Sequence, residues 1–339
     1  MRITNKSVYF NYLGQLENIQ SSKYKEEIRL TTGKRITGIE EEPERLNEIK
    51  ILQSRIAKNT NYINILEETL SEMRVASENM DFISDTLKRL RQTAIDALSI
   101  SASTSPQTFA SQIKDLLNDI IGQANKDYNG KTLFSGTATT PQTLVAIPPD
   151  DLVANNDLPF ELIEEVPPSD PINNPSGLRV IFKGNNNDRL INKDQYTEEI
   201  TNVKSEELFG SGYEPQLFQY IIKIYNIIKF KSDGSLRTET DQITTAEINQ
   251  VDTLQKTLLD HDQKISNTIA LFGAKYNRLD SLVNQLLNDN IRLQEINSIK
   301  SDTDIARTTI ELRKNETALQ YSLQVGARIM QTSLFDFLR

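Results

Sequence analysis

The sequence has no cysteine and only one histidine, His261, in 339 residues. The first absence removes disulfides, thiolate metal sites and thiol nucleophiles together. The second removes any His-rich metal centre and leaves a Ser-His-Asp triad only one possible base. No run of about 18 apolar residues is present, so nothing can cross a bilayer as a helix. The opening stretch MRITNKSVYFNYLGQLENIQ lacks the apolar core, roughly 7–15 residues long, of a secretory signal. By the usual export route the chain is expected to stay in the cytoplasm, unless a route that reads an uncleaved N-terminus carries it out. Basic residues are in deficit, 38 against 47 acidic, and the net charge of −9 argues against nucleic acid as a partner. A packed core is still within reach at 37% hydrophobic residues, in two or three domains. This inventory leans toward a protein without catalysis, cofactor or metal.

Proline is scarce outside one segment. Nine of the eleven lie between Pro141 and Pro215, and the others are Pro43 and Pro106. Proline removes an amide donor and clashes with the preceding turn, so residues 44–105 and 216–339 can run as long helices whereas 141–215 cannot. Ile49, Leu52, Ile56, Asn59, Ile63, Leu66, Leu70 and Met73 advance by alternating steps of 3 and 4. After a slip through Ala76 the series resumes at Met80, Ile83, Leu87, Leu90 and Ala94. Such a seam buries one stripe against another helix. Ser101, Ser103, Ser105 and Pro106 read as its end, and Phe109–Asn125 as a second helix. A matching seam runs Val251, Leu254, Leu258, His261, Ile265, then Ile269, Phe272, Tyr276, Leu279, Val283, Leu286, Asn290 and Leu293. The expected fold is mainly α: a long antiparallel coiled-coil stalk built from both halves of the chain.

Between the seams, Asn129-Gly130 marks a tight turn, and LVAIP, LPFELIEEV and GLRVIFKG are β-prone runs bounded by proline, glycine and asparagine. Leu217–Phe230 is apolar and of a length suited to a buried helix. The expected division is 44–140 and 238–296 as stalk with hairpin, 141–237 as an inserted α+β outer domain, and 1–43 and 297–339 as terminal assembly helices. The ends differ from the rest in charge: residues 1–35 carry +4 and 305–339 carry +2, leaving −15 on the remainder. Both ends have apolar positions that neither can hide alone. Those expected to form an assembly interface are Tyr9, Leu13, Leu16, Ile19, Leu319, Leu323, Val325, Ile329, Leu334, Phe335 and Leu338. Ends of this kind stay mobile in a monomer and order against copies of themselves.

Some local patterns have simpler readings than they first suggest. Gly130-Lys131-Thr132 ends like a phosphate loop, but Asn125 stands where the first glycine belongs, and a helix precedes it rather than a strand. Glu40, Glu41, Glu42, Glu44 and Glu48 crowd around Pro43, as expected of a helix start and solvated face. Gly184 to Asp188 lacks the spaced acids and closing glutamate of a calcium loop and reads as a polar turn. His261 and Asn290 fall on the seam, where polar residues fix register.

Several segments together resemble one family, the bacterial flagellins and, within it, the flagellar hook-associated protein 3 branch. They are Met1-Arg2-Ile3-Thr4, Thr32-Gly33-Lys34-Arg35-Ile36, the hairpin from Asp127 to Gly136, Ala270 to Leu279, and the tail from Leu319 to Arg339. Glu41-Glu42-Pro43 departs from the family's acidic "D-D-P" turn by longer carboxylates. The resemblance implies a structural subunit linking hook to filament at the hook–filament junction, with a flagellin-type filament subunit as the alternative. A cytoplasmic coiled-coil adaptor is the distant alternative. It also implies extracellular placement on the flagellum after type III export without a cleaved signal peptide. The implied partners are the hook-associated junction protein adjoining the hook, flagellin, an export chaperone, and copies of the chain itself in an assembled ring. No nucleic acid and no membrane insertion are expected.

Overall fold

The computed structural model describes residues 5–38, 40–99, 105–144, 158–239 and 241–337, with backbone alone for 5–6, 142 and 329–337. Seven helices carry most of the described residues: α1 (Asn5–Thr32), α2 (Pro43–Leu98), α3 (Pro106–Ala124), α4 (Ser205–Leu208), α5 (Gln216–Lys229), α6 (Thr245–Ser301) and α7 (Ile305–Phe337). Six short strands form three two-stranded antiparallel sheets: β1 (Asp127–Tyr128) with β2 (Lys131–Thr132), β3 (Phe160–Glu164) with β4 (Leu178–Phe182), and β5 (Leu190–Asn192) with β6 (Glu198–Ile200). The fold is mainly α with a small α+β portion. No helix among the described residues is long and apolar enough to cross a membrane. The chain divides into a central unit, residues 62–284, and a terminal unit made of residues 1–61 and 285–339. Both α2 and α6 contribute residues to each.

In the central unit the seam positions of α2 from Ile63 to Ala94 are buried, Ala76 included. On α6 the same is true of Val251, Leu258, His261, Ile265, Phe272, Leu279 and Val283. Ser84 Oγ donates to Asp262 Oδ1 at 2.6 Å, tying the two helices across the seam. Ser105 belongs to the next helix rather than to the end of α2, because its Oγ accepts from the Gln107 amide and caps α3. Ser101 and Ser103 lie outside the described residues. Asn129 (φ 51°) and Gly130 (φ 75°) make the left-handed two-residue turn that joins β1 to β2. Of the β-prone runs, the second and third become β3 and β4, in register from Phe160↔Phe182 to Glu164↔Leu178. All of LVAIP beyond Leu144 lies outside the described residues.

The centre of the α+β portion is aromatic. Phe160 is fully buried, with its ring 4.8 Å from Phe182, 5.0 Å from Phe209 and 5.8 Å from Phe218. Phe134, just past the hairpin, meets Phe209 edge-on. The apolar run read as a buried helix is α5, which packs on α3 and β4. Sequence periodicity gave no sign of β5 and β6. Each is three residues long and exposes alternate side chains, and the Lys193–Glu199 ion pair at 2.9 Å helps hold them together. At the start of α6, Thr244 and Glu247 cap one another reciprocally, and the buried Arg237 guanidinium lies 2.9 Å from Glu247.

His261 is buried on the α6 seam beside the Tyr220 ring, 5.8 Å between centroids. Burial and the Lys264 charge hold its imidazole below the ordinary histidine range, against the opposing pull of Asp260. Its folded value is therefore lower than its unfolded one. The stability it permits is complete above the unfolded value and is lost as pH falls through the folded value. Because it is the only histidine, the window from about pH 7 to pH 5 reports on it before carboxylates titrate. Melting curves should show stability falling with acidification, by at most about 1.4 kcal/mol per pH unit for one proton. His261→Leu should flatten that slope, and an equal slope in the variant would show that another group carries it.

Candidate assembly surface

In the terminal unit α1 ends at Gly33, whose φ of 67° turns the chain out of the helix. The next residues pair with the break between α6 and α7. The Arg35 amide donates to Ser301 O at 2.8 Å, the Thr303 amide donates to Gly33 O at 2.9 Å, and Lys34 bridges Asp302. Lys34 Nζ lies 2.5 Å from Asp302 Oδ1. Bonds from Lys34, Ser298 and Ser301 hold the Asp302 carboxyl down at about 2. The TTGKRI segment thus reaches the SDT break 265 or more residues away, a pairing that no local pattern announces.

The acidic turn before α2 differs from a plain solvated cap. Glu41 lies 3.4 Å from Arg29 and 3.5 Å from Lys25, and accepts from the Thr37 amide. Glu42 lies 2.8 Å from Arg35 and 3.0 Å from Arg45. Despite some desolvation, the Thr37 amide and Arg29 keep the Glu41 carboxyl below its ordinary value. Partly exposed pairs are each worth about 1 kcal/mol or less, so their role is to fix the path of the linker. Farther along, Lys300 lies 2.5 Å from Glu48, and Asn290 Nδ2 donates to Thr60 Oγ1 at 3.1 Å. The opposite order of these two pairs makes α2 and α6 antiparallel within this unit. Asn290 therefore does take a polar partner on the seam.

Helices α1 and α7 pack along one another. Their inward stripes have the same 4-3-4-3-4 spacing. On α1 the half-buried positions are Tyr12, Leu16, Ile19, Lys23, Glu26 and Leu30; on α7 the inward positions are Thr308, Leu312, Asn315, Leu319, Ser322 and Gly326. Gly33 meets Thr303 at one end and Tyr12 lies over Gly326 at the other, so the pair is antiparallel. Half of this seam is polar or small. Among the described residues, Ile49 is the sole fully buried apolar side chain of the terminal unit, whereas the central unit holds all the rest. The helices are paired but not sealed.

The structure divides the expected interface residues between two faces. Leu16, Ile19 and Leu319 are half-buried on the α1–α7 seam. Tyr9, Leu13, Leu323 and Val325 are exposed, the last two at 52%. Ile329, Leu334 and Phe335 lie on the part of α7 described by backbone alone, and Leu338 lies outside the described residues. Sequence reasoning passed over Val8, Phe10, Ile305, Ile310 and Tyr321, all exposed. It also missed Gly326, which falls seven residues after Leu319 and fourteen after Leu312. Glycine was not counted as a seam residue, yet its missing Cβ is what admits the Tyr12 ring. Because α1 and α7 run in opposite directions, Val8 to Leu13 and Tyr321 to Val325 fall at the same end of the pair. Exposed apolar side chains gathered at one end of a helix pair make that end a candidate interaction surface.

Residues 3–139 match the family model of the bacterial flagellin N-terminal helical region. Over that span the chain is flagellin-like. The flagellin-like span takes in α1, α2, α3 and the β1–β2 hairpin, and with them Thr32 to Ile36 and Asp127 to Gly136 of the sequence resemblance, whereas Ala270 to Leu279 and Leu319 to Arg339 fall outside it. No curated protein matches the sequence. Among solved structures, the chain is similar to one from Vibrio parahaemolyticus assigned as a flagellar hook-associated protein, at TM-score 0.57 and 15% identity, covering 77% of this chain and 99% of that one. It is also similar to flagellar hook-associated protein 3 of Legionella pneumophila, at TM-score 0.53 and 13% identity, covering 74% and 99%. FlgL of Xanthomonas campestris follows at TM-score 0.50 and 13% identity, covering 73% and 98%. At these identities the likeness is one of fold, and at 73–77% of the chain it covers more than the flagellin-like span.

A mid-helix glycine costs about 1 kcal/mol of helix stability relative to alanine, so the Tyr12 contact needs a direct test. Gly326→Val should push the Tyr12 ring off α7 and increase the rate of tryptic cleavage within α1 several-fold. Gly326→Ala should do less, since only the far end of a mobile ring must swing aside. Equal cleavage rates in wild type and Gly326→Val would mean that Tyr12 does not hold the pair together.

Proposed function

We propose that this chain is a structural, non-catalytic subunit of the bacterial flagellum, placed at the hook–filament junction, where it links hook to filament and supports filament assembly. One observation carries this reading: the helices formed by the two chain ends find each other but leave an apolar face uncovered. Each apolar side chain newly buried between subunits would contribute on the order of 1.5–3 kcal/mol before ordering costs. Contacts of this kind that do not close produce open helical arrays. On this reading residues 1–43 and 297–339 are the assembly helices, 44–140 and 238–296 the supporting coiled coil, and 141–237 the outer domain. Tyr9, Leu13, Leu323 and Val325 meet neighbouring subunits, and Leu16, Ile19 and Leu319 keep α1 on α7. Ile329, Leu334, Phe335 and Leu338 belong to the same proposed interface.

The proposed partners are the hook-associated junction protein adjoining the hook, flagellin, and further copies of the chain in a ring. An export chaperone would cover α7 before assembly, and the chain would reach the cell exterior without signal cleavage. The flagellin-like span also supports a second reading, a flagellin-type filament subunit. Epitope-tagged protein on isolated flagella separates the two. A band at the distal edge of the hook is expected; label along the whole filament would establish the filament reading instead. Deleting the gene should leave bare hooks with flagellin in the medium.

A further inference from the structure

The β1–β2 hairpin passes from Tyr128 to Lys131 through a two-residue turn, Asn129 (φ 51°) and Gly130 (φ 75°), both exposed. This is also the sole Asn-Gly step in the sequence. In such a step the glycine nitrogen can attack the carboxamide carbon before it, because no Cβ stands in the way. A Cβ built at Gly130 would meet nothing within 4 Å, so no packing closes off the turn. Among the described residues no bond restrains the Asn129 carboxamide. Asn125 differs, since the Phe160 amide and carbonyl hold its carboxamide at 2.8 and 2.7 Å.

One reactant is withheld. The Gly130 amide donates to Asp127 Oδ2 at 2.9 Å, a bond strengthened by the carboxylate charge. Attack requires this nitrogen to shed its proton and turn toward Asn129 Cγ. Asp127 opposes both, by holding the N–H and by repelling the amide anion that would form. We propose that Asn129 is a deamidation site guarded by Asp127: the closed hairpin is inert, and it reacts when the Gly130 amide is released. The Gly130 nitrogen then bonds to Asn129 Cγ and gives its proton to solvent. The Cγ–Nδ2 bond breaks, and the carboxamide nitrogen takes up a proton and leaves as ammonia. Water opens the resulting succinimide at either carbonyl, leaving aspartate or isoaspartate at position 129. Both products place a second carboxylate in the turn beside Asp127. Isoaspartate also adds one carbon to the main chain of the turn, whose length sets the Tyr128↔Lys131 register. A chain that reacts while unfolded therefore cannot close the hairpin in the same register, just ahead of the buried Leu133 and Phe134.

The test follows full-length protein at mildly alkaline pH, folded in buffer and unfolded in guanidinium chloride. Trypsin cuts after Lys126 and Lys131, and the peptide between is read by mass spectrometry, with aspartate and isoaspartate separated by chromatography. The unfolded chain should deamidate at Asn129 at least about tenfold faster than the folded one, since only open hairpins react. Folded Asp127→Ala should react several-fold faster than folded wild type, and the gap should vanish once both are unfolded. Asp127→Asn keeps an acceptor without the charge and should fall between them, a check independent of any loosening of the hairpin by alanine. Three outcomes would overturn the guarded site: equal rates in folded and unfolded wild type, an unchanged folded rate in Asp127→Ala, or no acid formed at Asn129 in the unfolded chain. None of these bears on the junction reading, which stands or falls by localisation.

Discussion

A chain trimmed to residues 62–284 should fold cooperatively and melt within about 5 °C of the full-length protein, yet take no place in any polymer. These residues are contiguous and contain the aromatic cluster, the α3–α5 packing, and every fully buried apolar side chain among the described residues except Ile49. Removing the terminal unit takes away little dry core and, with it, the outward patch of Tyr9, Leu13, Leu323 and Val325. Limited proteolysis of dilute full-length protein should give a related result, clearing roughly the first 40 and last 40 residues ahead of the rest. Leu323→Asp with Val325→Asp in the intact chain should reproduce the assembly defect with little shift in melting temperature, because each side chain is 52% exposed. A trimmed chain that still joins flagella would remove the assembly role of the ends. Protease-resistant ends in dilute monomer would show that α1 and α7 are sealed by contacts inside the chain.

Phe160→Ala should destabilise the central unit by about 3–5 kcal/mol and lower its melting temperature by roughly 10 °C or more. Phe160 has no exposed surface, lies within 6 Å of three other phenylalanine rings, and opens the β3–β4 register. Its backbone amide and carbonyl are also fixed, by Asn125 at 2.8 and 2.7 Å. Truncation leaves a cavity that the aromatic neighbours cannot all collapse into without disturbing the stacked Phe209–Phe218 and edge-on Phe134–Phe209 contacts. Tyr213→Ala, at an exposed position of the same unit, should change stability by about 0.5 kcal/mol or less. Comparable losses at Phe160 and Tyr213 would mean that the aromatic cluster is not the core of this portion.

The long helices were legible because their signal is redundant. Thirteen seam positions from Ile49 to Ala94 repeat one spacing, and proline's absence removes the competitor. The Asn129-Gly130 turn was legible because its left-handed backbone favours those two residue types. The strands β5 and β6 were not, since three residues carry too little alternation to stand out. The Thr244–Glu247 cap could have been found from its T-x-x-E spacing. The ends show the limit most clearly. A list of apolar residues in α1 and α7 mixes two faces of each helix, and only the partner helix says which face is which. The inward stripe of α7 reads Thr308, Leu312, Asn315, Leu319, Ser322, Gly326, so a hydrophobicity pattern cannot find it.

The sequence by itself determined the long helices, the proline-rich interruption, the hairpin and the apolar excess at both ends, because each depends on steric or periodic properties of neighbouring residues. Only the tertiary structure decided that Lys34 meets Asp302 and that Tyr12 rests on Gly326. Those outcomes depend on which distant segments share space. Packing and hydrogen-bond geometry settle that after the helices have formed.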